Sequence, residues 1–237
     1  MVLNEDRLLA GSMHVPMDTQ GKTTKTRLDK PWKGERVEFQ DVVRQRKMVR
    51  SFDDRPVDPA VVELILENAI RAPSAGFSQG WAFMLLDQEE DVQRFWDVNW
   101  PERETETPWP LLFNAPVIIV PLSHKQAYLD RYAEEDKGWT DKAESRWPVP
   151  YWHIDTAFAA QNMLLTVVDH GLGALFFGIF DVPKFRAGFG VPDEYDPIGA
   201  IAIGHPAAKD KKSGSLKRGR RQLDEVLHRG GWQTREE

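Results

Sequence analysis

The chain has 237 residues, a formal net charge of −6 at pH 7, 41% apolar and 29% charged residues, and no cysteine. That balance fits a globular domain able to bury a sizeable core, and the acidic charge argues against a general nucleic-acid binder. The missing cysteines exclude disulfides, thiolate catalysis and cysteine-held metals. With no apolar run of the ~18 residues a membrane span needs and no signal-peptide pattern, they set the expectation of a cytoplasmic protein that does not enter the membrane.

Residues 1–36 are polar and aperiodic, broken by Gly11, Pro16, Gly21, Pro31 and Gly34. They predict an irregular N-terminal arm ahead of one domain over residues 37–237. Gly21-Lys22-Thr23 has the end of a phosphate-binding loop, but Pro16 stands where the upstream glycine is needed and no strand precedes it. Glu38–Lys47 predicts a short helix with Phe39, Val42 and Val43 as apolar contacts, delivering Arg44, Arg46, Lys47 and Arg50 near its end. Asp58 is placed to cap a second helix, with Pro59 at its first position, an apolar face from Val61 to Ile70, and Pro73 as its stop. Trp81–Leu86 predicts a buried strand and Gln88–Trp100 a helix.

Pro101–Leu111 reads as irregular, and Pro116–Leu122 as a buried strand bounded by prolines that cannot donate into a ladder. His124–Tyr151 is charged and aromatic, with weak helix signals and no clear face. Tyr151–His170 carries the strongest helical period, through Ile154, Phe158, Leu165 and Val168, and Gly171 sits where a left-handed cap is common. Ala174–Phe180 and Ile198–Ile203 predict strands, with a short helix over Pro183–Phe189 between them. A basic tail with Lys211, Lys212, Lys217, Arg218, Arg220 and Arg221 closes the chain. Few strands, long helices and no regular alternation of the two point to the α+β class.

Arg46, Lys47 and Arg50 open a stretch that Pro73-Ser74-Ala75-Gly76 closes. Clustered cations offer several donors to an anion, and small residues let backbone approach a flat ligand, so the pair suggests a phosphorylated planar cofactor. The basic tail extends that idea to an anion site assembled from both ends of the chain, each charge-assisted bond contributing about 1.5–3 kcal/mol. Other motifs are weaker. Gly171-Leu172-Gly173 up to Gly178 runs helix-then-strand, the reverse of a dinucleotide fingerprint. His153 and Asp155 resemble metal ligands, but with no Cys and no second His pair, a helix N-terminus with a capping or solvated Asp155 is favoured. No G-x-S-x-G elbow supports a hydrolase triad.

Read together, R-K-M-V-R-S-F, R-A-P-S-A-G-F-S-Q-G-W, A-A-Q-N-M-L-L, G-L-G-A-L-F-F-G, A-I-G-H-P-A and R-R-Q-L-D-E-V resemble the nitroreductase family of FMN-dependent oxidoreductases, from about Phe39 to Trp232. The resemblance implies a central mixed or antiparallel sheet flanked by helices and an intertwined homodimer with FMN at the subunit interface. It implies that Arg46 and Lys47 hold the ribityl phosphate, completed by Arg218 and Arg220, and that Arg50 approaches the pyrimidine edge. Met48 carries over as a backbone contact only. Pro73, Ser74, Ala75 and Gln79 line the ring, and Phe177 and Gly178 present backbone near N5. No side chain is required as acid or base, because the flavin takes hydride from NAD(P)H and passes it to a nitroaromatic, quinone-like or other small acceptor. The aromatic stretch then supplies either a substrate lid, with Trp109, Trp147, Tyr151 and Trp152 facing the acceptor, or dimer packing.

The sequence departs from the family pattern at Met48, where serine is usual, at Phe77, often asparagine, and at Gly80, often proline. The Gly-Phe-x-Gln form is also similar to the flavin-destroying dimethylbenzimidazole synthase, whose acidic residue falls at Met48 and serine at Gly178, which disfavours that chemistry here. Dehydrogenation, dehalogenation or non-catalytic flavin binding remain the alternatives on the same fold.

Overall fold

The structure is a computed structural model that describes residues 38–102 and 107–234; the arm read over residues 1–36 lies outside them. Helix α1 (Phe39–Gln45) leads through an extended strap to helix α2 (Pro59–Ala69). Strand β1 (Trp81–Leu86), helix α3 (Glu89–Asn99), strand β2 (Val117–His124), helix α4 (Lys125–Ala133) and the long helix α5 (Tyr151–Asp169) follow. Strand β3 (Gly173–Phe177), helix α6 (Val182–Phe189), strands β4 (Tyr195–Pro197) and β5 (Ala200–Gly204) and the short helix α7 (Leu223–Val226) complete the order.

The sheet runs β1-β2-β5-β3 with every strand pair antiparallel, and β4 pairs with β2. Along the same edge of β2, β4 faces Leu122–His124 and β5 faces Val117–Ile119. The break between them falls at Ile198 and Gly199, and Gly199 has φ +148°. A side chain there would meet the Phe177 carbonyl oxygen at 2.7 Å, so only glycine allows the bend.

Pro121 lies inside β2 rather than bounding it. Its carbonyl accepts from the Ile198 N–H at 3.1 Å, so its missing donor faces the point where β4 gives way to β5. The interruption is what admits a proline to a central strand.

Alternation along the strands feeds two cores. Ile118, Val120 and Leu122, with Ala200 and Ala202, face Phe95 and Trp96 of α3 and Phe185 of α6. Val117 and Ile119, with Ile201 and Ile203, face Ile65 and Ala69 of α2 and Met163 and Val167 of α5. Each fully buried aliphatic side chain stabilises by roughly 1.5–3 kcal/mol relative to exposure. Helices thus cover both faces of the sheet, as an α+β fold with a flanked antiparallel sheet requires. A parallel bridge from Met48 to Ala174 supplies its one mixed element among the described residues.

Asp58 caps α2 as read, accepting from the Ala60 N–H at 2.8 Å, and Gly171 takes the left-handed conformation at φ +67° after α5. Helix α1 stops at Gln45 instead of reaching Lys47, and β3 ends at Phe177 instead of Phe180. Helix α4 forms where the sequence carries only weak helix signals, and strand β4 was not expected. No helix among the described residues is long and apolar enough to cross a membrane.

Candidate functional site

The strap after α1 is extended, and its direction decides which cations converge. The Val49 N–H donates to the Ala174 carbonyl at 2.9 Å, and the Phe176 N–H donates to the Met48 thioether at 3.4 Å, tying the strap to β3. Val49 lies so close to Gly173 that a Cβ at residue 173 would meet the valine Cβ at 2.9 Å. In an extended segment successive side chains alternate. Lys47 and Val49 share one side, lining a cleft of about 170 Å³ with Gln45, Val168, Gly171, Leu172, Gly173 and Pro206. Arg46, Met48 and Arg50 take the other. The structure therefore brings Arg46 and Arg50 to one face and places Lys47 on the opposite one.

The C-terminal segment meets this strap in reverse. Phe52 bridges Pro206, the Asp53 N–H donates to the His205 carbonyl at 3.0 Å and the Ala207 N–H to the Ser51 carbonyl at 2.9 Å. The Asp210 carboxylate then accepts from the Arg50 backbone N–H at 3.0 Å. Trp109 joins the same corner: its indole N–H donates to the Lys211 carbonyl at 2.8 Å, and the Arg50 guanidinium stands 5.3 Å from its ring centre. Arg218 ends a tight turn (Gly214–Arg218) and Arg220 follows it, both exposed. No described contact joins either to Arg46 or Arg50.

The loop from Pro73 to Gly80 is the second wall. Ser74 accepts from the Gln79 N–H at 3.0 Å, and the Ser78 hydroxyl donates to the Ala75 carbonyl at 2.7 Å. The Ala75 N–H is turned away from solvent and donates to the Asp155 carboxylate at 2.8 Å, which also accepts from the Tyr128 hydroxyl at 2.9 Å. Asp155 is 3% exposed, so its reading as a capping or solvated carboxylate fails. Burial and the adjoining Asp155 carboxylate push the Tyr128 phenol up, keeping it a donor.

At the end of β3, the Phe177 ring turns inward and stacks on Trp96 at 5.5 Å and 13°. That leaves the backbone of Phe177 and Gly178 at the rim. A side chain at Gly178 would meet nothing within 4 Å. Asn99, which sequence reasoning missed, accepts from the Phe180 N–H at 3.0 Å and fixes the turn beyond.

The aromatic stretch packs largely on itself. Trp147 lies 4.5 Å from Tyr132, 5.5 Å from Trp139, 5.8 Å from Tyr151, 5.9 Å from Tyr128 and 6.1 Å from Trp152. The structure thus groups Trp147, Tyr151 and Trp152 and leaves Trp109 with Arg50. Next to this cluster His153 Nδ1 is 2.8 Å from the buried Ser123 hydroxyl.

Burial pushes the His153 imidazole below its ordinary value of 6.5. Below about pH 6.5 the unfolded chain takes a proton that the folded chain refuses, so stability is full above that pH and falls as acid is added. A His153→Asn variant, which keeps a hydrogen bond to Ser123 but cannot titrate, should lose less thermal stability than the wild type between about pH 7 and 5. Parallel melting curves at the two pH values check this.

Comparison with known proteins bears on the family and the fold. The sequence matches the model of the Nitroreductase family over residues 43–205. It is 27% identical over 190 residues to an NADPH-dependent oxidoreductase of Staphylococcus aureus, covering 79% of this chain and 71% of that protein. The fold is similar to that of a nitroreductase family protein from Clostridium difficile, at TM-score 0.62 and 20% identity over 83% of this chain and 100% of that one. It is also similar to an Exiguobacterium sibiricum nitroreductase-type protein in complex with FMN, at TM-score 0.64 and 18% identity over 84% and 99%. With a family match over residues 43–205, well more than half its length, and the same overall fold, the chain belongs to the nitroreductase family.

Proposed function

We propose that the chain is an FMN-dependent oxidoreductase that passes hydride from NAD(P)H to a nitroaromatic, quinone-like or other small organic acceptor. The observation that carries this reading is the convergence of the Arg46–Arg50 strap with the rim of β3 and the segment at Asp210 and Lys211. The FMN complex of the similar Exiguobacterium sibiricum protein and the name of the Staphylococcus aureus relative support it.

The residues present fit such a cofactor. Arg46 is half-buried and pairs with no described carboxylate, and the Arg50 guanidinium faces a ring rather than an acid. Gly178 leaves open space at the rim. When bound, FMN supplies hydride acceptance and donation at N5. The protein binds and orients. Arg46, with Arg218 and Arg220, would hold the phosphate through charge-assisted hydrogen bonds. Arg50 would stabilise the negative charge that reduction places at the pyrimidine edge. Pro73, Ser74, Ala75 and Gln79 would line the ring and exclude water from it, opposite the Phe177 and Gly178 backbone. Of the aromatic residues, Trp109 beside Arg50 would face the acceptor, while Trp147, Tyr151 and Trp152 form a separate packed cluster in which Trp152 is buried.

A homodimer completes the reading: Phe39, Val43, Ile70 and Phe158 are 64%, 45%, 55% and 47% exposed, an apolar surface suited to a second copy. Anaerobic titration of the purified protein with NADH and NADPH tests the activity. The expected result is a yellow protein whose visible absorbance bleaches with at least one donor and returns when a nitroaromatic or quinone is added. A protein that stays colourless after incubation with FMN would overturn the cofactor. A yellow protein that neither donor bleaches would overturn the NAD(P)H reaction.

A further inference from the structure

The loop over residues 73–80 holds a conformation that its own residues disfavour. Gly76, Phe77 and Gln79 all have positive φ, at +61°, +56° and +50°. For a bulky side chain such as Phe77 the left-handed region is sterically disfavoured. Phe77 is also 74% exposed, so packing within this chain does not offset that cost. Beyond the loop's own bonds at Ser74 and Ala75, what holds it comes from two helices remote in sequence.

From α5, Asp155 takes the Ala75 N–H, and it shares the same carboxylate oxygen with the Tyr128 hydroxyl of α4. From α4, Arg131 Nε donates to the Gly76 carbonyl at 2.9 Å. Its other nitrogens are locked on Asp136 at 2.6 and 2.8 Å, which fixes the guanidinium plane. Tyr132 closes over the loop so tightly that a side chain at Gly76 would meet its ring at 2.6 Å. Asp155 makes no ion pair with a described residue, and burying a carboxylate without a cation is costly unless donors satisfy it. A group kept at that cost, spending its oxygen on one loop amide and the tyrosine beneath it, is poorly explained as core filling.

We infer that Asp155 and Arg131 are positioning residues: together with Tyr128 they clamp the loop in its strained left-handed run, so that Ser74 and Ala75 form a rigid wall before any ligand arrives. This rests on the flavin reading for what the wall faces. A preset wall spares the cofactor the ordering cost of the loop and so raises affinity. It also turns the Ala75 N–H toward α5, so that this amide is not offered to the ligand.

The test combines hydrogen exchange with FMN titration on the full chain. In flavin-free protein, Asp155→Ala should speed exchange of the Ala75–Gln79 amides about tenfold or more, with β2 amides unchanged. In titrations it should raise the FMN Kd by about tenfold or more. Arg131→Ala should act in the same direction more weakly, and Arg131→Lys, which keeps one donor for the Gly76 carbonyl, should recover part of the loss. Because the clamp opposes strain, adding Phe77→Gly to Asp155→Ala should also restore part of the affinity, since glycine adopts positive φ freely. If Asp155→Ala and Arg131→Ala each leave loop exchange and Kd within about twofold of wild type, the clamp is overturned. If Asp155→Ala does not fold, the Arg131 pair decides alone. A wild type that binds no FMN overturns the flavin reading instead, and loop exchange in the variants still decides the clamp.

Discussion

Arg46→Ala should weaken FMN binding by about 10- to 100-fold, while Lys47→Ala should change it by no more than about threefold. Both residues are cations, adjacent in sequence, and a cluster counted by charge alone treats them as equals. The strap separates them. With the Val49 N–H paired to Ala174 and the Met48 thioether holding the Phe176 N–H, the segment is extended and its side chains alternate. Lys47 lines the cleft shared with Val168 and Gly171, and the same alternation puts Arg46 on the side of Arg50. A charge-assisted bond to phosphate contributes about 1.5–3 kcal/mol, whereas an exposed lysine on the far side adds only weak, salt-screened attraction. Fluorescence titration of FMN at two ionic strengths checks both variants. Equal losses in the two would show that both side chains reach the phosphate.

Gly80→Ala should lower stability by about 2–3 kcal/mol, near the upper end for overpacking. For a chain of this length that corresponds to a drop in Tm of roughly 5–10 °C. The added carbon would run into the Tyr128 ring and stand 2.7 Å from the His124 carbonyl oxygen. Neither can give way easily. Tyr128 is fully buried and its hydroxyl is bonded to Asp155, while the His124 N–H is bonded back to the Gly80 carbonyl at 2.9 Å. A proline ring would meet the same obstruction. The departure at Gly80 is therefore coupled to the tyrosine that fills the space. Calorimetry of the single variant decides it; an unchanged Tm would mean that α4 can move off the loop.

Much of the fold was legible because it rests on local rules. Asp58 and Pro59 announce α2, the period from Ile154 to Val168 announces α5, and Gly171 has the conformation its place demanded. Helix α4 gave only a weak signal because its buried positions are few, Tyr128 and Leu129, and tertiary bonds from Arg131 and Tyr128 hold it in place of an apolar stripe. β4 spans only Tyr195–Pro197, too short for a pattern to show. In the site, the identities of Arg46 and Arg50 were readable but their geometry was not. A helix continued to Lys47 makes neighbours diverge by about 100°, whereas the extended strap sets them on opposite faces. Asp155 was misread because its partners lie 80 residues away at Ala75 and 27 away at Tyr128, beyond any local signal.

The long reach between strap and tail also sets an order of assembly. Asp210 meets Arg50 across 160 residues, and the strap's bridge partner Ala174 lies in β3, which completes the sheet only by pairing with β5. Contacts of such separation form late, because loop closure must precede them. During synthesis α2 and the β1–β2 pair can close early, but the Arg50 face stays open until the residues beyond Gly204 have emerged and turned back. On the flavin reading, cofactor capture would then wait for the segment through Asp210: a translation product cut short before it lacks the group that secures the Arg50 backbone.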